Sequence, residues 1–359
     1  MGVGLVGAGR IADLHVAALR TLGISLAGLV SSSPARTAEA ARRLGAQRPF
    51  DDLDAMLRDP RIDVVHVVTP SALHFDQVAR ALDTGKHVLC EKPLATTALE
   101  AERLARQADL AGLIGAVAYP YRFHPVVCEM RDRIGLVGRP LLVRASYLQG
   151  WLLDADPGEW RLDPERAGGS RALTDIGCHA IDLVEFVTGE RVRGVSAVIG
   201  QAVPEARSGP GAADDSAVVS LDLSGGAIGS LIVSQVAIGA VNALTLDVYG
   251  TAGSATAALG DETRLEVAPA DAAAGVGSSN GRGGPGGAST PPSVYVDAYV
   301  DLFRAFHQAI IGARPAELPG FHDCARVLAV RDAVLRAAAG GAREDVGSGV
   351  LAGARPEAG

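Results

Sequence analysis

The chain has almost no lysine: Lys86 and Lys92 are the only two, against a background that otherwise uses arginine. Cysteine is sparse as well. Cys90, Cys128, Cys178 and Cys324 lie scattered, with no CxxC pair and no metal-like spacing to histidine. This excludes a zinc module or disulfide framework and leaves free thiols in a reducing compartment. Long apolar runs are missing too, each being broken by charge or glycine, so neither a membrane span nor a signal peptide is expected, and the cytoplasm is the expected location. Positive charge is not in excess. A formal net charge of −8 argues against a nucleic-acid partner, because phosphate binding needs a basic surface. What remains is 359 residues, 48% hydrophobic and 21% charged, which describes a well-buried globular protein with more chain than one ordinary core holds.

Residues 1–120 alternate short β-branched runs with helical stretches. Val3–Val6, Ser25–Val30, Val64–Val68, His87–Cys90 and Leu113–Val117 read as strands, and Ile11–Leu22, Ala35–Leu44, Leu73–Leu82 and Leu99–Leu110 as helices. Strands apolar on both faces, each followed by a helix, predict a doubly wound parallel sheet. From residue 121 to about 345 the grammar changes. Helices at Val126–Ile134 and Asp175–Thr188 accompany strands at Leu141–Tyr147, Val192–Ile199, Ala217–Leu223, Ala227–Val236 and Leu244–Tyr249. Gly225-Gly226 between two of these predicts a hairpin. The second region is therefore expected to be an α+β domain with an open, mostly antiparallel sheet. Residues 267–292 are rich in Gly, Ser, Ala and Pro and predict a mobile loop. Helices at Val296–Ile311 and Phe321–Ala339 then precede a polar tail, 346–359.

Gly7, Gly9 and Ala12 form a GxGxxA pattern between the first strand and the first helix. Gly7 permits the tight turn, Gly9 lets the backbone approach a pyrophosphate, and Ala12 allows close helix–strand packing. Arg10 and Ile11, at the helix N-terminus, are expected beside the phosphates. The first segment is thus a candidate Rossmann domain for NAD or NADP. The tip of the second strand reads Ser31-Ser32-Ser33 with Arg36 nearby and no carboxylate before Glu39. An NAD enzyme tends to carry an acid there. Ser32 and Arg36 suit a 2′-phosphate instead, which favours NADP; the alternative is that the serines only cap the next helix.

A buried strand delivers Glu91, Lys92 and Pro93 at its C-terminal end, where open α/β sheets place ligands. A compact ammonium there can reach one oxygen, and its pKa shifts readily on burial. Downstream, Thr174 is a plausible N-cap for a helix carrying Asp175, His179 and Asp182, spaced so that all three share one face. Two carboxylates and an imidazole make a general acid–base platform, or equally a solvated helix face. Thr69 and His74, after the third strand, belong over the same sheet edge.

Together, GAGRIA at the start, TPSALH, GKHVLCEKPLA and WRLDPERAGGSRALTDIGCHAIDL resemble the Gfo/Idh/MocA family of sugar and inositol oxidoreductases, from about residue 3 to about residue 340. The resemblance implies that Lys92 is the catalytic lysine, that Asp175 orients substrate and that His179 transfers the proton. It further implies a cis Lys92–Pro93 bond. Glu91, Thr69, His74 and Arg122 would line the nicotinamide and ribose site, with Trp160 and Arg161 bordering the nicotinamide pocket. Ser71 and Pro120 depart from the family pattern, standing where asparagines are frequent. The implied reaction is reversible hydride transfer between nicotinamide and a secondary alcohol or ketone of a sugar, sugar derivative or cyclitol, with no metal. A homodimer or homotetramer through the open sheet face is implied as well. A dinucleotide-binding regulator without turnover and an NAD-dependent glycoside hydrolase are the competing readings.

Overall fold

The structure is a computed structural model that describes residues 1–155, 162–163, 170–203, 214–260, 263–269, 292–313 and 315–347. Two sheets organise it. The first is parallel, with strands β1 (Val3–Val6), β2 (Leu26–Val30), β3 (Val64–Val67), β4 (His87–Cys90) and β5 (Gly115–Val117) in the order β2-β1-β3-β4-β5. Every residue of β1, β2 and β3 is buried, as a sheet covered on both faces requires. The connecting helices are α1 (Arg10–Thr21), α2 (Pro34–Leu44), α3 (Leu53–Leu57), α4 (His74–Asp83) and α5 (Ala98–Ala111). Their ends follow local rules. Ser33 caps α2, which has Pro34 at its first position and left-handed Gly45 beyond its end; Thr97 and Glu100 form a reciprocal capping box on α5.

After α6 (Pro125–Arg133) the chain enters the second sheet. Its strands are β6 (Pro140–Leu148), β7 (Val192–Gly200), β8 (Ser216–Leu223), β9 (Ile228–Ser234), β10 (Ala243–Gly250), β11 (Gly253–Leu259), β12 (Arg264–Pro269) and β13 (Glu344–Asp345). They lie in the order β12-β11-β10-β6-β9-β8-β7-β13, and only β6 and β9 pair in parallel. Alternation decides the faces. Val143, Ala145 and Tyr147 of β6 point into the core, where α7 (Cys178–Thr188) packs, while Leu142 and Arg144 face outward. The β8–β9 hairpin turns at Gly226, whose φ of +89° suits glycine, and is in register from Asp222 opposite Ile228.

The helices that end the chain return to the first sheet. On α8 (Pro292–Ile310), Tyr299, Leu302, Phe303 and Phe306 pack with Val3, Leu19, Val64 and Leu89. On α9 (Phe321–Gly340), Phe321 lies against Gly115, and Val117 of β5 donates its N–H to the Pro319 carbonyl at 2.9 Å. The parallel sheet is therefore completed by chain that follows its last strand only after β6 to β12 of the second sheet have been laid down, with Val117 and Pro319 more than two hundred residues apart.

Differences from the sequence reading are local. α3, β11 and β12 carry weak signals: β11 reads GSATAAL and forms a strand because β10 and β12 pair with it. The expected mobile loop of 267–292 overlaps β12 at its start and the first residue of α8 at its end; 270–291 lie outside the described residues, as does the tail from 348. Thr174 is not an N-cap. The helix starts earlier, in a π-helical turn over Leu173–Gly177, and its first amides are taken by Asp214, whose carboxylate accepts from Arg171 N at 2.8 Å and Leu173 N at 2.7 Å. Among the described residues, no helix is long and apolar enough to cross a membrane.

Candidate active site

Along the C-terminal edge of the parallel sheet, the β1–α1 turn is built almost without side chains. Gly7 has a φ of +111°, and a Cβ there would fall 2.9 Å from the Val68 carbonyl oxygen. Gly9 is different. It is the N-cap of α1 in an ordinary extended conformation, and a Cβ would meet no protein atom within 4 Å. An open cradle in front of a helix N-terminus, with Arg10 and Ile11 opening the helix, fits the pyrophosphate of a dinucleotide. Ala12 is fully buried against the sheet. Arg43, which the sequence reading missed, reaches over from α2 to hydrogen-bond the Ala8 carbonyl at 3.1 Å and pairs with Asp13. At the β2 tip Ser33 accepts from Arg36 N at 3.3 Å, while the Arg36 guanidinium rests on Ser32 Oγ at 3.4 Å. One serine caps α2, and the Ser32–Arg36 pair stays exposed.

At the β4 tip the Lys92–Pro93 bond is cis. Lys92 Nζ donates to both Oδ1 and the main-chain oxygen of Asp175, each at 2.7 Å, across 83 residues of sequence. The other carboxylate oxygen of Asp175 accepts from Gln235 Nε2 at 2.8 Å. Gln235 is fully buried at the end of β9 and carries no motif that would have revealed it. His179, one helical turn on from Asp175, is 5% exposed and ringed by Tyr119, Tyr121 and Tyr147 with centroids 5.0 to 6.3 Å away. Burial, then the nearby Lys92 charge, hold its pKa well below the ordinary histidine value, with Asp175 opposing. The ring is neutral at physiological pH and able to accept a proton. Burial removes the solvated-face alternative for this helix.

The remaining candidates do not all face the same space. Glu91 turns inward, where Oε1 accepts from His15 Nε2 at 3.0 Å and from the Tyr299 hydroxyl at 2.9 Å, so it ties β4 to α1 and α8. Burial raises its pKa, but His15 and Lys92 outweigh this and hold the carboxyl below its usual range. His74 bridges two turns: one ring nitrogen lies 2.7 Å from the Pro93 carbonyl and the other 2.8 Å from that of Thr69. The Thr69 hydroxyl donates to Gln77 at 2.6 Å. Arg122 is buried against Asp182 through Nε at 2.9 Å and lies 3.6 Å from Asp323. The Asp182 carboxylate is thereby committed to Arg122. Trp160 and Arg161 lie outside the described residues.

Behind the cis turn, Cys324 Sγ accepts from Leu94 N at 3.4 Å and the Tyr119 hydroxyl at 3.3 Å. Burial pushes the Cys324 thiol up to about 11 and that of Cys178 to about 12, which leaves both protonated and unreactive. All four cysteines are free, and no group of His, Cys, Asp or Glu among the described residues could hold a metal.

Residues 1–119 match the model of an oxidoreductase family with an NAD-binding Rossmann fold, and residues 131–256 match the GFO/IDH/MocA C-terminal domain. A levoglucosan dehydrogenase from Pseudarthrobacter phenanthrenivorans is 32% identical over 284 residues, 71% of this chain and 72% of that protein. An NADP-dependent D-xylose 1-dehydrogenase from Haloferax volcanii is 32% identical over 45% of this chain and 49% of its own length. A structure of levoglucosan dehydrogenase in complex with NADH and levoglucosan superposes with a TM-score of 0.82 at 27% identity, covering 97% of this chain and 99% of that one.

Proposed function

Because the chain belongs to the Gfo/Idh/MocA family of NAD(P)-dependent oxidoreductases, we propose that it oxidises or reduces one secondary carbinol carbon of a polyhydroxylated ring, a sugar, sugar derivative or cyclitol. The observation that carries this reading is the convergence of Lys92 and Asp175 beside a buried, neutral His179. Bound nicotinamide supplies the hydride acceptor or donor at C4. In the oxidation direction His179 takes the hydroxyl proton, and Lys92 stabilises the negative charge that develops on that oxygen. A preorganised donor of this kind contributes about 3 kcal/mol to the barrier. Asp175, held between Lys92 and Gln235, fixes the lysine and presents its carboxylate to substrate hydroxyls.

The Ser32–Arg36 pair and the lack of an acid at the β2 tip favour NADP as the cofactor. The outer face of the second sheet exposes Leu142, Ile228, Val218 and Val198, which suits pairing with a second copy in a cytoplasmic homodimer or homotetramer. A screen of sugars and inositols with purified protein and either NAD or NADP, followed by nicotinamide absorbance, tests the reading. Turnover of a ring polyol, faster with NADP, is expected; no absorbance change with any of them would reject it. Light scattering on the same preparation should give an oligomer's mass, and a monomer would remove the pairing.

A further inference from the structure

From the side chains packed around His179 we infer that the Tyr121 hydroxyl is a specificity determinant. It acts only as a hydrogen-bond acceptor and selects a ring that carries a free hydroxyl beside the reacting one. The inference rests on the function proposed above and adds a named contact to it.

The polarity follows from a chain of hydrogen bonds that begins at an indole. Trp151 Nε1 lies 2.7 Å from Gln149 Oε1. An indole N–H can only donate, so the Gln149 oxygen must face it and the Gln149 amide N–H₂ must face the other way. That amide donates to Asn242 Oδ1. The same oxygen lies 3.3 Å from the Tyr147 hydroxyl, which must therefore donate to it. Tyr147 has then used its one proton. Its oxygen is 2.7 Å from the Tyr121 hydroxyl, so Tyr121 donates and Tyr147 accepts. Tyr121 is left with lone pairs alone. Asn242 sits at φ +52°, the only described residue other than glycine with a positive φ, and this bend holds its amide against Tyr147 and Gln149.

Location gives the acceptor its use. The Tyr121 ring is 5.0 Å from the ring of His179, edge to face, and close enough to Lys92 and Asp175 to feel both charges. Its side chain is only partly buried. A substrate hydroxyl next to the one that His179 deprotonates can donate to the Tyr121 oxygen. A carbonyl, ether or fluorine in that place would set acceptor against acceptor.

The test takes a ring polyol that the wild type oxidises, with its deoxy and deoxyfluoro analogues at the carbon next to the one oxidised. Tyr121→Phe is expected to raise KM for the polyol about 10-fold, the scale of one lost hydrogen bond, and to leave KM for the deoxy analogue unchanged. Tyr147→Phe keeps the Tyr121 hydroxyl but releases its proton, so the preference for hydroxyl over fluorine should narrow several-fold. This second variant decides the matter if Tyr121→Phe does not fold. Equal rises for polyol and deoxy analogue, an unchanged KM for both, or an undiminished preference in Tyr147→Phe would overturn the inference while the proposed function stands. A wild type that oxidises no ring polyol with either cofactor would bring down both.

Discussion

The two ends of the candidate site are built in opposite ways. At the β1–α1 turn one stretch of six residues forms the cradle, mostly through backbone, with open space in front of Gly9. At the candidate catalytic end Lys92, Tyr121, Gln235 and the helix that carries both Asp175 and His179 arrive from four separate segments, and their side chains are already bonded or packed to one another. A site for an invariant fragment such as pyrophosphate can be local, because backbone amides and a helix terminus suffice. A site for one particular alcohol needs charges and donors from several directions, which only a folded crevice between two domains supplies.

The sharpest way to break this comparison is to fill the empty space. Gly9→Val is expected to abolish cofactor binding in calorimetry while the protein still folds with only a modest fall in melting temperature, because a Cβ there meets no protein atom within 4 Å and the remaining cost is that of a poorer N-cap. Gly7→Ala should do the reverse in kind, lowering the melting temperature, since its φ of +111° and the Val68 carbonyl leave no room. Unaltered affinity in Gly9→Val would mean that the cradle is not the phosphate site.

The catalytic end should lose turnover and keep cofactor. Lys92→Ala and His179→Ala are each expected to lower kcat by about 10²-fold or more, the scale of a positioned proton-transfer group, with NAD(P)H fluorescence titrations unchanged. The pH dependence has a definite sign. Burial depresses the His179 pKa below its ordinary 6.5, so the oxidation rate should persist as pH falls through that value and drop only further down. His179→Ala should erase that acid limb. Near-normal turnover in both variants would overturn the assignment of acid and base while leaving the fold intact. The smallest effect is expected at the β2 tip. Arg36→Ala should weaken NADP binding several-fold and leave NAD binding alone; equal change for both would remove the 2′-phosphate role.

The parallel sheet was legible almost to the residue. Val3–Val6 and His87–Cys90 stand where their apolar runs place them, because short β-branched runs that alternate with helical stretches read as strands buried on both faces. GxGxxA, EKP and DxxxH could be read as candidate chemistry because each is a short run whose spacing alone carries meaning. Other parts left no trace. Alanines and serines made β11 look like loop, and only its neighbours' unpaired edges make it a strand. Gln235 and Asp214 are single polar residues in or beside strands, and their partners lie tens of residues away. The partners of Arg122, placed with the cofactor by resemblance, were equally unreadable: its guanidinium pairs with Asp182 and lies near Asp323.

By itself the sequence determined most of the strands and helices, the glycine turn and the candidate lysine, aspartate and histidine, because backbone geometry and side-chain period act over a few residues. Tertiary structure alone decided what those groups meet. It sends α8 and α9 back to cover the first sheet, buries His179 among tyrosines so that its ring stays neutral, and sets Lys92 against Asp175. Burial and charge proximity are properties of position in space, and a separation of 83 positions in sequence carries no local record of them.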